Sequence, residues 1–308
     1  MKTNSNLEKI LESGEFAVTA EIGPPKSADP DVVRKKARIM KGYIDAFNVT
    51  DGQTAVVRMA SWAACLIGME EGLDPIVQMT CRDRNRIALQ MDILGIAALG
   101  INNILCLTGD HVSMGNHPNA KPVYDVDSIQ LIKIVKDMRD EKRFECGEKL
   151  DIEPRLYIGA VSNPFAGYPL EVDVLRLQKK IEAGADFIQT QCVYNLEKFE
   201  EWMRLVKRKG LHERVHILAG VTPLKSYRMA KYMSENVPGI EIPEKIMERI
   251  KNAPKEQAGE EGVNICVEII ENLKGIEGVH GIHIMAIGWE EIVPELVRRA
   301  KLLPRPSF

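Results

Sequence analysis

The sequence predicts a single-domain (β/α)8 barrel over residues 1–308, and three observations support that fold. Short β-branched segments alternate with amphipathic helical segments along the whole chain. The strand segments are almost continuously apolar, which is typical of parallel strands buried on both faces. Eight such units suffice to close a barrel. A doubly wound sheet is disfavoured, because the first strand is not followed by G-x-G-x-x-G and the chain has no G-x-x-x-x-G-K-[ST].

The first four β-α units occupy the amino-terminal half. Their strands are predicted at residues 16–22, 44–50, 75–81 and 103–108. Their helices are predicted at residues 29–41, 56–71, 84–99 and 126–141. Asp29 is suited to the N-cap of the first helix with Pro30 at its first position, and Gly100 is suited to end the third. A long loop, 109–124, precedes the fourth helix.

The second half repeats this alternation. Its strands are predicted at residues 156–162, 186–191, 215–221 and 278–287. Its helices are predicted at residues 171–183, 195–209, 224–236, 263–273 and 289–300. Gly184 and Gly210 are placed to end two of these helices. An inserted segment at about 238–260 is expected to contain a short helix starting at Pro243, without forming a separate domain.

Composition excludes several classes of protein. A net charge of −3 and the absence of a basic stripe argue against nucleic acid as the main partner. Residues 1–15 lack the apolar core of a secretory signal. The longest apolar stretch, 93–107, is interrupted by Asn102 and Asn103 and is shorter than the ~20 residues of a membrane span. We therefore expect a cytoplasmic protein without membrane insertion. Its six cysteines contain no C-x-x-C pair, so we expect reduced thiols and no metal site.

Polar residues follow the apolar strands at the end where barrel enzymes place their chemistry. In chain order these are Glu21, Thr50, Asp51, Gln78, Thr108, Gly109, Asp110, Ser162, Asn163, Gln189, Gln191, Thr222 and His283. Glu21 stands out because a charge that ends a buried strand is costly unless it is paired or functional. Burial would raise its pKa and favour a general acid, while a salt bridge across the barrel mouth is the structural alternative.

Asp110 is the second notable carboxylate. It follows Gly109, which permits close approach of a ligand to the backbone, although an aspartate in a turn is also common. His111 and His117 in the next loop are most simply solvated. His280 and His283 are three residues apart on a strand, so they face opposite sides and cannot chelate jointly. Lys180 could anchor a phosphate or be an exposed lysine.

Several segments, in this order and spacing, resemble methylenetetrahydrofolate reductases from about residue 16 to the carboxyl terminus. The matching segments are TAEIGPPK (19–26), NVTD (48–51), MTCRD (79–83), LTGD (107–110), KIEAGA (180–185), TQ (190–191), GVTP (220–223) and GVHGIH (278–283). The resemblance implies a flavin-dependent barrel enzyme that reduces 5,10-methylenetetrahydrofolate to 5-methyltetrahydrofolate. The resemblance implies FAD as the flavin, and FMN is the alternative.

The resemblance also implies roles for individual residues. Glu21 matches the general acid that opens the imidazolidine ring, and Asp110 matches the aspartate beside flavin and pterin. Gln191 matches the glutamine that binds the pterin. Further positions align with flavin contacts: Thr50, Gly109, Tyr124, Asp125, Asp173 and Lys180. Such a site makes physical sense, because a hydride acceptor must become cationic and so needs an acid and a nearby anion.

Four positions depart from the better-known bacterial pattern. Gln78 stands where a histidine is usual, and Thr108 stands where an arginine is usual. Asn163 takes the place of a tyrosine, and Leu224 takes the place of a phenylalanine that stacks on folate and NADH. Gln78, Thr108 and Asn163 are still expected at the flavin and Leu224 at the substrate. In these departures the chain is similar to reductases of acetogenic anaerobes, which implies electron delivery by an iron–sulfur and zinc-containing partner subunit. Homo-oligomerisation remains open.

Two other functions are compatible with the sequence. A pterin-binding barrel methyltransferase would need the same fold and folate recognition but no flavin. A non-catalytic barrel subunit of a redox complex would need neither carboxylate, so Glu21 and Asp110 argue against it. The visible spectrum of the purified protein distinguishes the reductase from the methyltransferase.

Overall fold

A computed structural model describes residues 1–307 and confirms the (β/α)8 barrel. Eight parallel strands pair in chain order, and the last closes onto the first through the register Thr19–His283. The strands are β1 (Ala17–Ile22), β2 (Ala46–Val49), β3 (Pro75–Thr80), β4 (Asn103–Leu107), β5 (Tyr157–Ser162), β6 (Phe187–Cys192), β7 (His216–Val221) and β8 (Val279–Ile284). All eight predicted strands are present, most of them one or two residues shorter than expected.

The helices surround this barrel. They are α1 (Asn6–Glu12), α2 (Asp31–Met40), α3 (Ser61–Glu70), α4 (Arg86–Ala98), α5 (Ser128–Lys136), α6 (Leu170–Ala183), α7 (Leu196–Arg208), α8 (Tyr227–Asn236), α9 (Glu244–Asn252), α10 (Ala258–Lys274) and α11 (Val293–Arg299). Each predicted helix is present with shifted ends. The inserted segment contains α9, which starts directly after Pro243 as expected, together with the beginning of α10.

Three of the shifted helix boundaries have a clear local reason. Asp29 is not the N-cap of α2, because Pro30 occupies that position and the Asp29 carboxylate instead accepts the amide of Asp31 at 3.0 Å. α8 starts at Tyr227, three residues later than predicted, where the Ser226 hydroxyl caps the amide of Met229 at 3.2 Å. α5 ends at Lys136 and continues as one π-helical turn to Glu141.

Helix α1 was not predicted, because residues 1–15 are polar in composition. Its side chains Leu7, Ile10 and Leu11 are nevertheless buried against inward-facing barrel residues such as Ile76 and Phe187. Ser5 caps the helix by accepting the amide of Glu8 at 3.0 Å. Helix α1 therefore closes the amino-terminal end of the barrel and leaves the opposite end for a site.

The outer faces of most helices carry charged residues, as on α2 and α7. Helix α4 differs, since its outward-facing Ile87 and Met91 are 66% and 67% exposed. Within residues 1–307 we find no helix with the length and apolarity needed to cross a membrane.

Candidate active site

A cavity of about 360 Å³ opens at the carboxyl-terminal end of the barrel. It is lined by residues from or after strands β1 to β5 and from helices α5 and α6: Glu21, Thr50, Asp51, Gly52, Gln53, Gln78, Thr80, Arg82, Leu107, Thr108, Gly109, Asp110, Ser128, Val161, Arg176 and Lys180. The structure thus brings Glu21 and Asp110 into one cavity, together with five predicted flavin-contact positions. These five are Thr50, Gln78, Thr108, Gly109 and Lys180.

A larger cavity of about 490 Å³ lies at the other end of the barrel, beside Tyr157, His216 and His280. These residues belong to the amino-terminal ends of strands, where barrel enzymes gain stability and do not place their chemistry. We therefore assign the candidate site to the carboxyl-terminal cavity.

Glu21 combines limited exposure with weak pairing. Its side chain is 12% exposed, its Oε2 lies 3.5 Å from Gln78 Nε2, and the same oxygen lies 4.0 Å from His283 Nε2. Burial raises the pKa of Glu21 to about 7, the Gln78 contact partly offsets this, and the negative charge of Glu290 adds to it. Within residues 1–307 no strong salt bridge holds this carboxyl group ionised, so it can be protonated near neutral pH.

A layer of polar side chains inside the barrel lies next to Glu21, on the side toward the amino-terminal end. It consists of Thr19, Asn48, Gln189 and His283. Thr19 Oγ1 and His283 Nδ1 are hydrogen-bonded at 2.9 Å, and Gln189 exchanges two amide hydrogen bonds with Asn48 at 2.7 and 3.0 Å. Burial lowers the pKa of His283 to about 3, so this imidazole is neutral. His280 lies on the other side of β8 and accepts the amide of Ile217, which confirms that the two histidines face apart.

Asp110 lies at the exposed rim of the cavity. Its carboxylate accepts the Thr54 amide at 2.8 Å, which joins the loops after β2 and β4. Gly109 has φ +90°, and a Cβ there would lie 3.0 Å from Thr80, so glycine is required. The Tyr124 hydroxyl donates to the carbonyl of Asp110 at 3.1 Å. His111 and His117 are exposed in the following loop, as expected.

Arg82 was missed as an individual residue. Its guanidinium is buried and donates to the carbonyls of Gly52, Asp51 and Asp110 at 3.1, 3.3 and 3.4 Å. It therefore ties the loops that form the cavity floor. The sequence did contain a signal for Arg82, namely a charged residue directly after a predicted buried strand. Asp51, which follows the second predicted strand, was singled out by that same pattern.

One side of the cavity is positively charged. Lys180 is buried, so the alternative of an exposed lysine is wrong. Its amine donates to the carbonyl of Val161 at 2.6 Å. Burial lowers the pKa of its amine to about 8. Arg176 lies one turn earlier on α6, and Ser128 in the first turn of α5 completes this side. Cations beside a helix N-terminus are suited to bind an anionic group.

Other predicted site residues lie outside the wall of this cavity, and their roles stay predictions. Asp173 is buried and accepts from Ser162 Oγ and Trp202 Nε1 at 2.7 and 2.8 Å, and the Asn163 amide lies 3.4 Å away. Asp125 is paired with Arg86 at 2.8 Å. The Gln191 side chain accepts the amide of Cys192 at 3.0 Å, and Leu224 is fully buried in the apolar core. Among residues 1–307, no group of three or more His, Cys, Asp or Glu side chains is placed to hold a metal.

Comparison with known proteins identifies the family. Residues 6–301 match the family model described as methylenetetrahydrofolate reductase. The chain belongs to the methylenetetrahydrofolate reductase family. This confirms the resemblance seen in its strand-end motifs.

Individual relatives agree with the family assignment. Methylenetetrahydrofolate reductase 2 of Schizosaccharomyces pombe is 25% identical over 99% of this chain and 48% of its own length. The 5,10-methylenetetrahydrofolate reductase of Buchnera aphidicola subsp. Schizaphis graminum is 23% identical over 87% of both chains. The chain spans less than half the length of the curated relatives that match it first.

The barrel also has structural relatives. It superposes with a TM-score of 0.64 on an uncharacterized protein from Clostridium thermocellum that binds two copies of 5-methyl-5,6,7,8-tetrahydrofolic acid. The two chains are 17% identical over 97% of this chain and 99% of the other. At this identity the likeness concerns the fold.

Proposed function

We propose that this chain reduces 5,10-methylenetetrahydrofolate to 5-methyltetrahydrofolate with the help of a bound flavin. The observation that carries the proposal is Glu21, a mostly buried carboxyl group with a pKa of about 7, which shares one cavity with Asp110. Family membership supports the reaction. The 5-methyltetrahydrofolic acid bound by the Clostridium thermocellum relative supports a folate as the ligand class.

The residues of the cavity fit a flavin. Thr50 Oγ1 is buried at the cavity wall without a hydrogen-bond partner among the described residues, and such orphaned groups are rare unless a ligand completes them. The cavity volume of about 360 Å³ is that of a small-molecule site. Thr50 and the Gly109 backbone would hold the ring, and Lys180 with Arg176 would hold a phosphate group. A reduced flavin, when bound, supplies the hydride.

The chain's own groups prepare the folate for reduction. Protonated Glu21 holds its proton for an imidazolidine nitrogen, and breaking the adjacent C–N bond leaves an electrophilic iminium carbon. The Asp110 carboxylate stabilises the developing positive charge. Helix α1 and the polar layer close the barrel interior, and they therefore limit access of water to the site from the amino-terminal end of the barrel.

We further propose that electrons reach the flavin through a protein partner with iron–sulfur and zinc centres. The supporting observation is Leu224, which replaces a nicotinamide-stacking aromatic residue and is fully buried in the core. If the isolated chain reduces its flavin with NADH at a rate that matches turnover, this part of the proposal fails. The cytoplasmic location likewise stays a prediction.

The reaction is tested with the purified chain loaded with FAD or FMN under anaerobic conditions. We expect a yellow protein whose photoreduced flavin is reoxidised by 5,10-methylenetetrahydrofolate, with 5-methyltetrahydrofolate as the product detected by mass spectrometry. Mass spectrometry of the extracted flavin assigns FAD or FMN. A chain that binds no flavin but methylates a corrinoid would instead be the methyltransferase. A chain that does neither would be a non-catalytic subunit.

A further inference from the structure

A mostly buried ion pair lies beside the strand that carries Glu21. The Glu290 side chain, in the turn after β8, is 7% exposed and is paired with Lys36 of α2, whose side chain is 24% exposed. Lys36 also donates to the carbonyl of Gly23 at 3.1 Å. A Cβ on Gly23 would lie 4.0 Å from Glu290 Oε1, so this carboxylate lies against the backbone two residues beyond Glu21. The pair therefore joins α2 and the turn after β8 to the end of β1.

The negative charge of this pair is better placed to act on its surroundings than the positive one. A buried ion pair adds little net stability, because the desolvation of both charges offsets their attraction. Its carboxylate is shielded from water, so the negative charge acts on neighbouring groups with little screening. The Lys36 side chain is more exposed, and its charge is screened more strongly. In agreement, the charge of Glu290 raises the pKa of Glu21.

The other titratable groups close to Glu21 are neutral or have other partners. Burial keeps the His283 imidazole neutral, and burial raises the pKa of the Cys192 thiol to about 12, so this group is neutral too. Asp51 is paired with Arg84 at 2.7 Å. Within residues 1–307, no lysine or arginine lies within 4 Å of the Glu21 carboxylate. Further charged side chains around the cavity and the loop after β1 are Arg58, Arg82, Asp110, Arg176 and Lys180.

We propose that Glu290 is a positioning residue for the acid of the reaction: its carboxylate, fixed beside β1 by Lys36, keeps the proton on Glu21 near neutral pH. Glu290 is not part of the cavity wall, so it acts through Glu21 and does not contact the folate. A general acid works only while it holds its proton, so the charge of Glu290 extends the active range of Glu21 to higher pH. This inference rests on the proposed function, in which Glu21 protonates the folate.

The test is the pH profile of flavin reoxidation by 5,10-methylenetetrahydrofolate in photoreduced Glu290→Gln and wild-type enzyme. The amide keeps the size of the side chain and can still accept from Lys36, so only the charge is lost. We expect the midpoint of the profile to fall by roughly half a pH unit or more. The rate at about pH 8 should then fall about threefold or more, while the rate at about pH 5 stays unchanged.

Two further variants separate the charge from a structural role. Glu290→Asp keeps the charge, so its midpoint should stay closer to that of the wild type than the midpoint of Glu290→Gln. Glu291→Gln is the matched control, because Glu291 is the exposed neighbour in the same turn and should leave the midpoint unchanged. Equal midpoints in wild type and Glu290→Gln, or a rate lowered equally at every pH, overturn the proposal.

A second measurement does not depend on the reaction. In the flavin-free chain, the infrared band of the protonated Glu21 carboxyl group is identified as the band that Glu21→Gln lacks. We expect this band to disappear at lower pH in Glu290→Gln than in the wild type. A band that titrates at the same pH in both proteins overturns the inference. A band that shifts in a chain that does not reduce the folate supports the influence of Glu290 on Glu21 and contradicts the proposed function instead.

Discussion

At the residue scale, the pKa of Glu21 sets the pH range in which this residue can serve as the proposed general acid. Burial raises this pKa to about 7, so the carboxyl group is largely protonated below that pH and ionised above it. A general acid is active only in its protonated form. The proposed reaction therefore depends on a group that titrates close to physiological pH.

We predict that hydride transfer to the folate slows as the pH rises through about 7, approaching a tenfold loss for each further pH unit. Below that pH the rate should be constant. The measurement is flavin reoxidation in a stopped-flow instrument with photoreduced enzyme. A rate that is flat across this range would show that Glu21 is not the acid.

Glu21→Gln should retain flavin binding and lose about 10²–10⁴-fold in folate reduction, because the amide cannot donate the required proton. Its residual rate should no longer follow the titration of Glu21. Glu12→Gln is a matched control, since Glu12 is exposed at the opposite end of the barrel. Equal losses in both variants would point to a general effect on folding.

The same titration affects stability. Because the pKa in the folded chain exceeds the ordinary glutamate value of 4.5, folded Glu21 binds its proton more tightly than the unfolded chain does. The stabilisation from this tighter proton binding is complete below pH 4.5 and is lost as the pH rises through about 7. Glu21→Gln should therefore melt like the wild type at about pH 4, and should be more stable than the wild type by up to about 3 kcal/mol at about pH 8. Melting curves of flavin-free protein at both pH values test this.

Single residues differed in how far the sequence revealed them. Glu21 and Asp110 were found because a charge at the end of an apolar strand is conspicuous. Arg82 gives the same signal, yet its role depends on carbonyl groups of two other loops. The Thr19–His283 hydrogen bond joins residues 264 positions apart, so only the closure of the barrel reveals it.

At the scale of elements, α1 shows where composition misleads. The eight strands and the barrel helices were predictable from apolar periodicity, whereas residues 1–15 gave no such signal. Three buried side chains, Leu7, Ile10 and Leu11, pack α1 against the barrel end. These side chains become buried only because strands elsewhere in the chain form the apolar surface that they contact, so the sequence of residues 1–15 alone does not reveal the helix.

Ile10→Ala should therefore cost about 2–5 kcal/mol of the free energy of unfolding, as other large-to-small core substitutions do. Glu12→Ala on the same helix removes an exposed side chain and should change it by at most about 0.5 kcal/mol. Urea titrations monitored by fluorescence compare the two. Similar small effects would mean that α1 is only loosely attached.

At the scale of the whole molecule, a buried ion pair fastens the carboxyl-terminal tail to the start of the barrel. Arg305 donates to Asp45 at 3.0 Å and to the carbonyl of Phe16 at 2.8 Å, and the Asp45 carboxylate also accepts the amide of Val18 at 2.7 Å. The tail thereby holds the first two strands together at their amino-terminal ends.

Arg305→Ala should destabilise the protein by about 3–5 kcal/mol, because it leaves Asp45 buried without its cation. Replacing both partners, as in Asp45→Asn with Arg305→Leu, should recover part of this loss. Arg298→Ala is the control, since Arg298 is half-exposed and its pair with Glu295 contributes about 0–1 kcal/mol. Chemical denaturation of the four proteins provides the comparison. A double variant no more stable than Arg305→Ala would mean that the tail matters by packing alone.

The plug formed by α1 has a consequence for the order of events during turnover. Because α1 closes one end of the barrel, the folate and the electron donor of the proposed reaction share the opening at the carboxyl-terminal end. We predict that they bind there in turn, which would give parallel lines in initial-rate plots, the pattern of ping-pong kinetics. Intersecting lines would show that both bind at once.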